Sequence, residues 1–545
     1  MADRSVLIDE NDSLLNFCIS DTVIKKPKLH SKFTSGIMSE EEFAYHTGRL
    51  YKYCLKPVRD MHQLHKNRIM GMKIIDHLIL KADSSYISIP HVMRIIWSVM
   101  SCIHHFQLRL RTGTIAFIHY SRKRTTEKCL KSYSRLIRIF HPSMHRIILN
   151  AILVFYKEGK LWEFEFACTD LIVDLMMIYT NFEQALDDIL NVIETVGEEN
   201  VTEARYLIQV LYEVLRKVQS PVISEPLVNR FLSMLESSIV PKITDRFNYG
   251  PLRRGIELCI MNTIAHLSLK GLFLVLKKLV TKMAVIEDDE AMLLNLGNLA
   301  AYAAGRYRPK TFRHYITQEI FDALNVLNKK PQTSAVSVCA RIWHNLLDRN
   351  NNLLVFSTPR IYLQDCNYKI NIKECVRGDK IFFKEWRTVI YDLVLVNCRM
   401  VHGLSQMEGM FQLMAVSLST IPCGYTASTY VSAALSVQDY AFQISKENLV
   451  KSHHLHAIVL SIMSLVCYVH KAEVFYEYVN SIMERRAEWA PHLNPPLKLE
   501  YQYAQHHILW NRPDLFFEDW ETRYGLWKCF RVKIKHPEGK EKEAV

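Results

Sequence analysis

The sequence predicts an all-α fold: an α-solenoid rod of stacked HEAT- or armadillo-like helical repeats. Three observations predict it. From Glu40 onward, apolar residues recur at three- and four-residue steps through segment after segment of helical length. The breaks between segments are short and made of Gly, Pro, Asn or Asp, as at Gly197 to Asn200, Pro221 to Pro226, Asn248 to Pro251 and Glu287 to Glu290. Segments such as Leu252 to Leu267 and Met292 to Ala304 are apolar on more than one face, as the inner helices of a stack must be. One helical pair cannot cover both its faces, so neighbours have to stack. Repeats of about 40–47 residues would give roughly a dozen in this length. Separate helical bundles fit less well, because no linker is long or polar enough to part them.

The elements follow in order. Residues 1–38 mix Asp, Ser and Lys without apolar period and are expected to be poorly ordered. Residues 39–496 form the rod. Pro142 opens a helix at its first position, and Gly159 with Lys160 ends it. The longest apolar run, Ala457 to Val469, falls short of the ~20 residues of a membrane span and reads as a buried core helix. Residues 360–376 alternate Ile361, Leu363, Ile370 and Ile372 with polar residues, which predicts an extended insertion, either a loop or a short hairpin. Residues 497–545 hold an aromatic helix pair and a charged tail.

Bulk properties narrow the class. The chain has 545 residues, 49% hydrophobic and 23% charged, which excludes disorder for all but the ends. Its 13 cysteines show no CxxC pair, and Asp3, Arg4, Asp9 and Glu10 interrupt any early apolar run, so a secretory leader and a disulfide framework are both excluded in favour of reduced, buried thiols. GxSxG, HExxH, GxxxxGK[ST] and GxGxxG are absent, and neither catalytic nor cofactor-binding residues are expected. His453, His454, His456 and the pair His506 and His507 lack Cys or carboxylate partners at ligand spacing, so no metal site is expected either.

Charge singles out one element. Residues 1–150 carry 24 basic and 12 acidic side chains, and the rest of the chain balances, so the whole excess of +12 lies in the first quarter. Within it, Ser121 to Arg146 holds Arg122, Lys123, Arg124, Lys128, Lys131, Arg135, Arg138 and Arg146 against the single acid Glu127. Arg124, Lys128, Lys131, Arg135 and Arg138 are spaced to share one helical face, while Leu130, Tyr133, Ile137 and Phe140 form a packing stripe. Such a row suits the anionic phospholipid of an inner leaflet. Nucleic acid fits poorly, because no aromatic interleaving or known nucleic-acid fold accompanies the charge. A plain solvated face has the same pattern.

Three landmarks stand in fixed order toward the C-terminal end: His344 to Arg349 closing a helix, Leu435 to Asp439 within one, and Arg486 to Pro491 ending another. Val338, Ile342 and Leu346 should line the first helix, and Val474, Tyr478 and Ile482 the third. With Gly159 to Met176 and Tyr45 to Val58 upstream, they resemble the rolling blackout (Efr-three) family, over roughly residues 41 to 500. That resemblance implies a helical rod acting as a peripheral plasma-membrane scaffold at the cytoplasmic face. It also implies recruitment of a type III phosphatidylinositol 4-kinase complex, with a tetratricopeptide-repeat subunit and a hyccin-like subunit as partners. The family's anchor is a palmitoylated N-terminal cysteine cluster. Here the first fifty residues hold only Cys18, the weak lipidation candidate, so the chain is expected to begin inside the family's N-terminal region. It is likewise expected to lack the family's long C-terminal extension. A cytosolic HEAT-type adaptor that grips peptides without a membrane role stays open beside the scaffold.

Overall fold

The computed structural model describes residues 36, 38–111, 116–159, 165–220, 222–239, 246–313, 316–400, 403–501, 512–530, 533–535 and 541–543. The expected disorder of residues 1–38 and the candidate Cys18 therefore lie almost wholly outside the described residues. Among these the chain forms twenty α-helices and one antiparallel pair of three-residue strands, β1 (Lys533–Lys535) and β2 (Glu541–Glu543). Cα packing divides it into two compact units, Met1–His266 and Leu267–Val545.

The first unit holds α1 (Glu40–Leu50), α2 (Met61–Lys81), α3 (Ile89–Arg111), α4 (Ala116–Leu136), α5 (His145–Glu158), α6 (Glu165–Met176), α7 (Phe182–Glu199), α8 (Val201–Lys217), α9 (Glu225–Ile239) and α10 (Arg246–His266). Odd helices pack on odd and even on even, α1–α3–α5–α7–α9 and α2–α4–α6–α8–α10. That alternation is the two-layered stack of a helical solenoid. Short polar residues start the helices. Ser39 caps α1 in a reciprocal box with Glu42, Asp60 accepts from the amides of His62 and Gln63, and Asn200 does the same for Thr202 and Glu203. The wide turn Tyr51–Leu55 after α1 fits because Gly71 on α2 has no Cβ, which would stand 2.1 Å from Cys54 Sγ. Gly159 terminates α5 as the spacing predicts, whereas Pro142 opens a short 3₁₀ turn ahead of α5 and not α5 itself.

The second unit holds α11 (Leu269–Val285), α12 (Glu290–Arg306), α13 (Gln318–Asn328), α14 (Thr333–Leu347), α15 (Arg377–Met400), α16 (Leu404–Thr420), α17 (Gly424–Ile444), α18 (Leu449–His470), α19 (Glu473–Trp489) and α20 (Asp519–Phe530). Its even layer runs α12–α14–α16–α18, its odd layer α11–α13–α15–α17–α20, and α19 lies against α18 and α20. Helix α18 is long and apolar enough to cross a membrane, but its side chains are buried almost throughout, so it is the central core helix that its flanking histidines suggest. Gly525 on α20 lets the helix meet α19 closely, since a Cβ there would stand 2.7 Å from the Phe475 ring.

Residues 359–376 run without helix or strand. The amide of Arg360 donates to Ser461 Oγ and that of Tyr362 to Ser464 Oγ, so α18 supplies hydroxyls where a hairpin would have supplied a second strand. The first landmark's stripe holds: Val338, Ile342 and Leu346 are all buried. The third is shifted. Val474 is exposed, and the buried row on α19 is Phe475, Val479, Ile482 and Arg486. A buried arginine extends the row, and period counting over apolar residues alone passes over it.

Candidate lipid-binding face

Helix α4 is fixed by its inner side. Cys129, Tyr133, Leu136, Ile137 and Phe140 are buried, while Leu130 lies between core and surface. Tyr133 donates its hydroxyl to the Leu171 carbonyl in the middle of α6, 2.8 Å away. Ser132 Oγ donates to Asp76 Oδ1 on α2 at 2.6 Å, and Lys128 Nζ lies 3.4 Å from Asp76 Oδ2. These bonds lock the rotation of α4 against the neighbours in its own layer.

Rotation so fixed leaves Arg124, Lys128, Lys131, Arg135 and Arg138 exposed, the last just beyond the helix end. The side chains of Arg122 and Lys123 lie outside the described residues, although their backbone belongs to α4. Among the described residues, Arg124, Lys131 and Arg135 form no ion pair, so their charges are available to an anion from solvent. Besides Asp76 on Lys128, two acids moderate the row: exposed Glu127, and Asp174 on α6. Burial raises the Asp174 carboxyl above its usual range, and the neighbouring Asp170 adds to this, while Arg138 pulls it back.

The family-like landmarks serve a different purpose. Asp348 accepts from the amides of Asn352 and Leu353, closing α14. Arg349 donates to fully buried Asp379 at 2.7 Å and lies over the Phe312 ring, while the other Asp379 oxygen takes the Phe312 amide. Gln438 clasps the backbone of Phe517, donating to its carbonyl at 2.9 Å and accepting its amide at 3.0 Å. Arg486 donates to the carbonyls of Leu515, His456 and Leu493. Each landmark thus ties loops to helices in the interior through Arg349, Gln438 and Arg486.

The histidines are core residues. His453, His454 and His456 are buried on α18, with His453 4.7 Å from the His492 ring and His456 between Phe442 and Phe516. Burial pushes His453 down to about 3 and His492 to about 4, with the adjoining His492 and His454 rings adding to the first and the Arg486 guanidinium to the second. His506 and His507 lie outside the described residues. Among the described residues no three His, Cys, Asp or Glu side chains are grouped to hold a metal ion, and the described cysteines are free thiols.

One surface feature escaped the sequence reading. Trp520, Tyr524 and Trp527 stand exposed in a row on α20, ring centroids 6.4 and 6.1 Å apart, with Lys528 Nζ 5.5 Å from the last two rings. Their four- and three-residue spacing was visible in the aromatic C-terminal stretch, but its sidedness was not. Much of that stretch, residues 502–511, lies outside the described residues.

Comparison with known proteins matches residues 40–509 to the family model described as EFR3, armadillo repeat. The Drosophila melanogaster protein EFR3 homolog cmp44E is 22% identical over 268 residues, covering 49% of this chain and 30% of the relative. The Mus musculus protein EFR3 homolog A is 23% identical over 222 residues, 40% of this chain and 26% of the relative. The aligned part therefore spans less than a third of either relative. Among solved structures, karyopherin Kap121p bound to Pho4p is 11% identical with a TM-score of 0.34, over 84% of this chain and 49% of that one. A designed circular tandem repeat protein gives a TM-score of 0.26 at 11% identity, over 82% of this chain and 96% of that one. At such scores these likenesses add nothing to the fold already described.

Proposed function

Because this chain belongs to the EFR3 armadillo-repeat family, we propose that it is a non-enzymatic peripheral scaffold at the cytoplasmic face of the plasma membrane. The row on α4 binds anionic phospholipid there, and the scaffold helps to recruit a phosphatidylinositol 4-kinase complex through its tetratricopeptide-repeat and hyccin-like subunits. The observation that supports the reading is the row itself: five basic side chains, all exposed, on a helix whose opposite side is pinned by Tyr133 and Ser132. A basic residue near an anionic bilayer contributes about 1 kcal/mol, and the attraction fades within a Debye length. A rigid row gathers these terms without the entropy cost of ordering a loop.

The test is co-sedimentation with phosphatidylserine-rich vesicles. The full chain is expected to pellet at low salt and to bind more weakly at high salt. Exchanging Arg124, Lys128, Lys131 and Arg135 for Glu is expected to abolish most of the binding. Binding that survives the four exchanges would remove the row from the mechanism.

A second reading, a HEAT-type adaptor without a membrane role, is favoured by the aromatic row on α20, since exposed Trp and Tyr are common anchors of protein interfaces. A chain that stays in the supernatant with every vesicle would favour that reading.

A further inference from the structure

We infer that the outer face of α2 is a bilayer-insertion surface, on which Ile69, Met70 and Leu80 enter the head-group boundary of an anionic membrane while Lys66, Lys73 and Lys81 hold its phosphates. The inference rests on the membrane reading given above. It starts from helical geometry. The buried residues of α2 are Gly71, Met72, Ile74, Ile75 and Leu78. At 100° per residue they face one way, and Lys66, Ile69, Met70, Lys73, Leu80 and Lys81 gather on the other.

A lone apolar residue at a surface is ordinary. Here three share one face, and Leu80 is 78% exposed, far beyond what marginal packing against a neighbour leaves. Ile69 and Met70 are 40% and 39% exposed, so each has a free side still able to gain from burial. The lysines between them are exposed as well. Their long aliphatic stems can lie along the apolar patch while the ammonium groups reach phosphate. Alternating leucine-like and lysine side chains on one helical face is the chemistry of a helix lying in a membrane interface.

Charge chooses this occupant over a protein. The only acid on α2 is Asp76, and Ser132 and Lys128 of α4 already engage it. The face therefore offers no free carboxylate to repel phosphate. It is also continuous with the cationic row, because α2 and α4 are neighbours in one layer and Asp76 ties them together. The row would draw the chain to the surface from a distance, and the α2 side chains would then hold it by burial, which salt does not screen.

The experiment uses the full chain, phosphatidylserine-rich vesicles and monolayers of the same composition. Exchanging Ile69, Met70 and Leu80 for Gln keeps the charges and the helix-forming character of α2. The expected result is a partition constant lower by about tenfold, equivalent to roughly 1.4 kcal/mol, together with loss of the surface-pressure rise that insertion causes. The binding that remains should be fully reversed by salt. Leu80→Trp, at the most exposed of the three positions, should strengthen partition and needs no tolerance of a triple change. A triple variant that partitions and raises the pressure like the parent, or a Leu80→Trp variant that gains nothing, would overturn insertion, leave the electrostatic reading standing and assign the face to a protein partner. A parent chain that binds no acidic vesicle would overturn both.

Discussion

Arg486 donates to three carbonyls from a fully buried site, and among the described residues no carboxylate neutralises it there. Burial lowers its pKa to about 9, so it still carries its proton at neutral pH. Removing it would orphan the carbonyls of Leu515, His456 and Leu493 together. Arg486→Ala is therefore expected to cost about 3–5 kcal/mol, read from urea unfolding. Arg486→Lys should recover only part, because an ammonium lacks the guanidinium fork. Titration is the second matter of single residues. Burial holds His344, His470 and His492 near 4 and His453 near 3. In the unfolded chain each would titrate near 6.5. A neutral buried histidine gives its full stability above that value and loses it as the pH falls through 6.5 toward 4 and 3. One pH unit below 6.5 removes roughly 1.4 kcal/mol per fully buried histidine, less for the partly solvated ones. The second unit, which holds all four, is expected to show a falling urea midpoint between pH 7 and 5; a midpoint that does not move would mean that these rings titrate in the fold as they do in the unfolded chain.

At the scale of elements, helices were legible where the period is carried by apolar residues. Val338, Ile342 and Leu346 line α14 as their spacing requires. On α19 the count holds at Ile482 and misses by one residue at Val474 and Tyr478, because the inner row begins at Phe475, passes through Val479 and ends in a cation. The basic row on α4 was legible for the same reason in reverse: five cations at alternating steps of three and four can only be a surface. The apolar side chains of α2 were not, since Ile69, Met70 and Leu80 read as core to any periodicity argument, and only packing shows that the core lies on the other side. The landmark around Gln438 was visible as a pattern and opaque as chemistry. Its two bonds to Phe517 span 79 residues, a distance that no local reading crosses. Gln438→Leu should free that backbone: hydrogen exchange at the Phe517 amide is expected to quicken about 2- to 10-fold, the worth of one net hydrogen bond, with no change at α14.

For the whole molecule, both units repeat one rule, helices packing on the next but one to build two layers, with many consecutive helices joining the layers. The fold class follows from composition and period because such a rule needs only local information. The division at His266 does not follow from them, since nothing in composition marks it. Charge follows a rule of its own. The first 150 residues carry +12, but residues 151–266 carry 10 basic and 17 acidic side chains and bring the first unit down to +5, so the ionic-strength dependence of membrane binding should follow the row on α4 and not a unit as a whole.

The strap of residues 515–517 has a consequence of a different kind. It lies across the last turns of the second unit, where Leu515 and Phe516 cover Ala490, Leu493 and Phe442. An open stack of helices has no inherent stopping point, because its final face is as sticky as any face inside it. Clasped by Gln438 and Arg486, the strap covers these apolar side chains with the chain's own backbone, so they are closed to any other molecule for as long as the clasp holds.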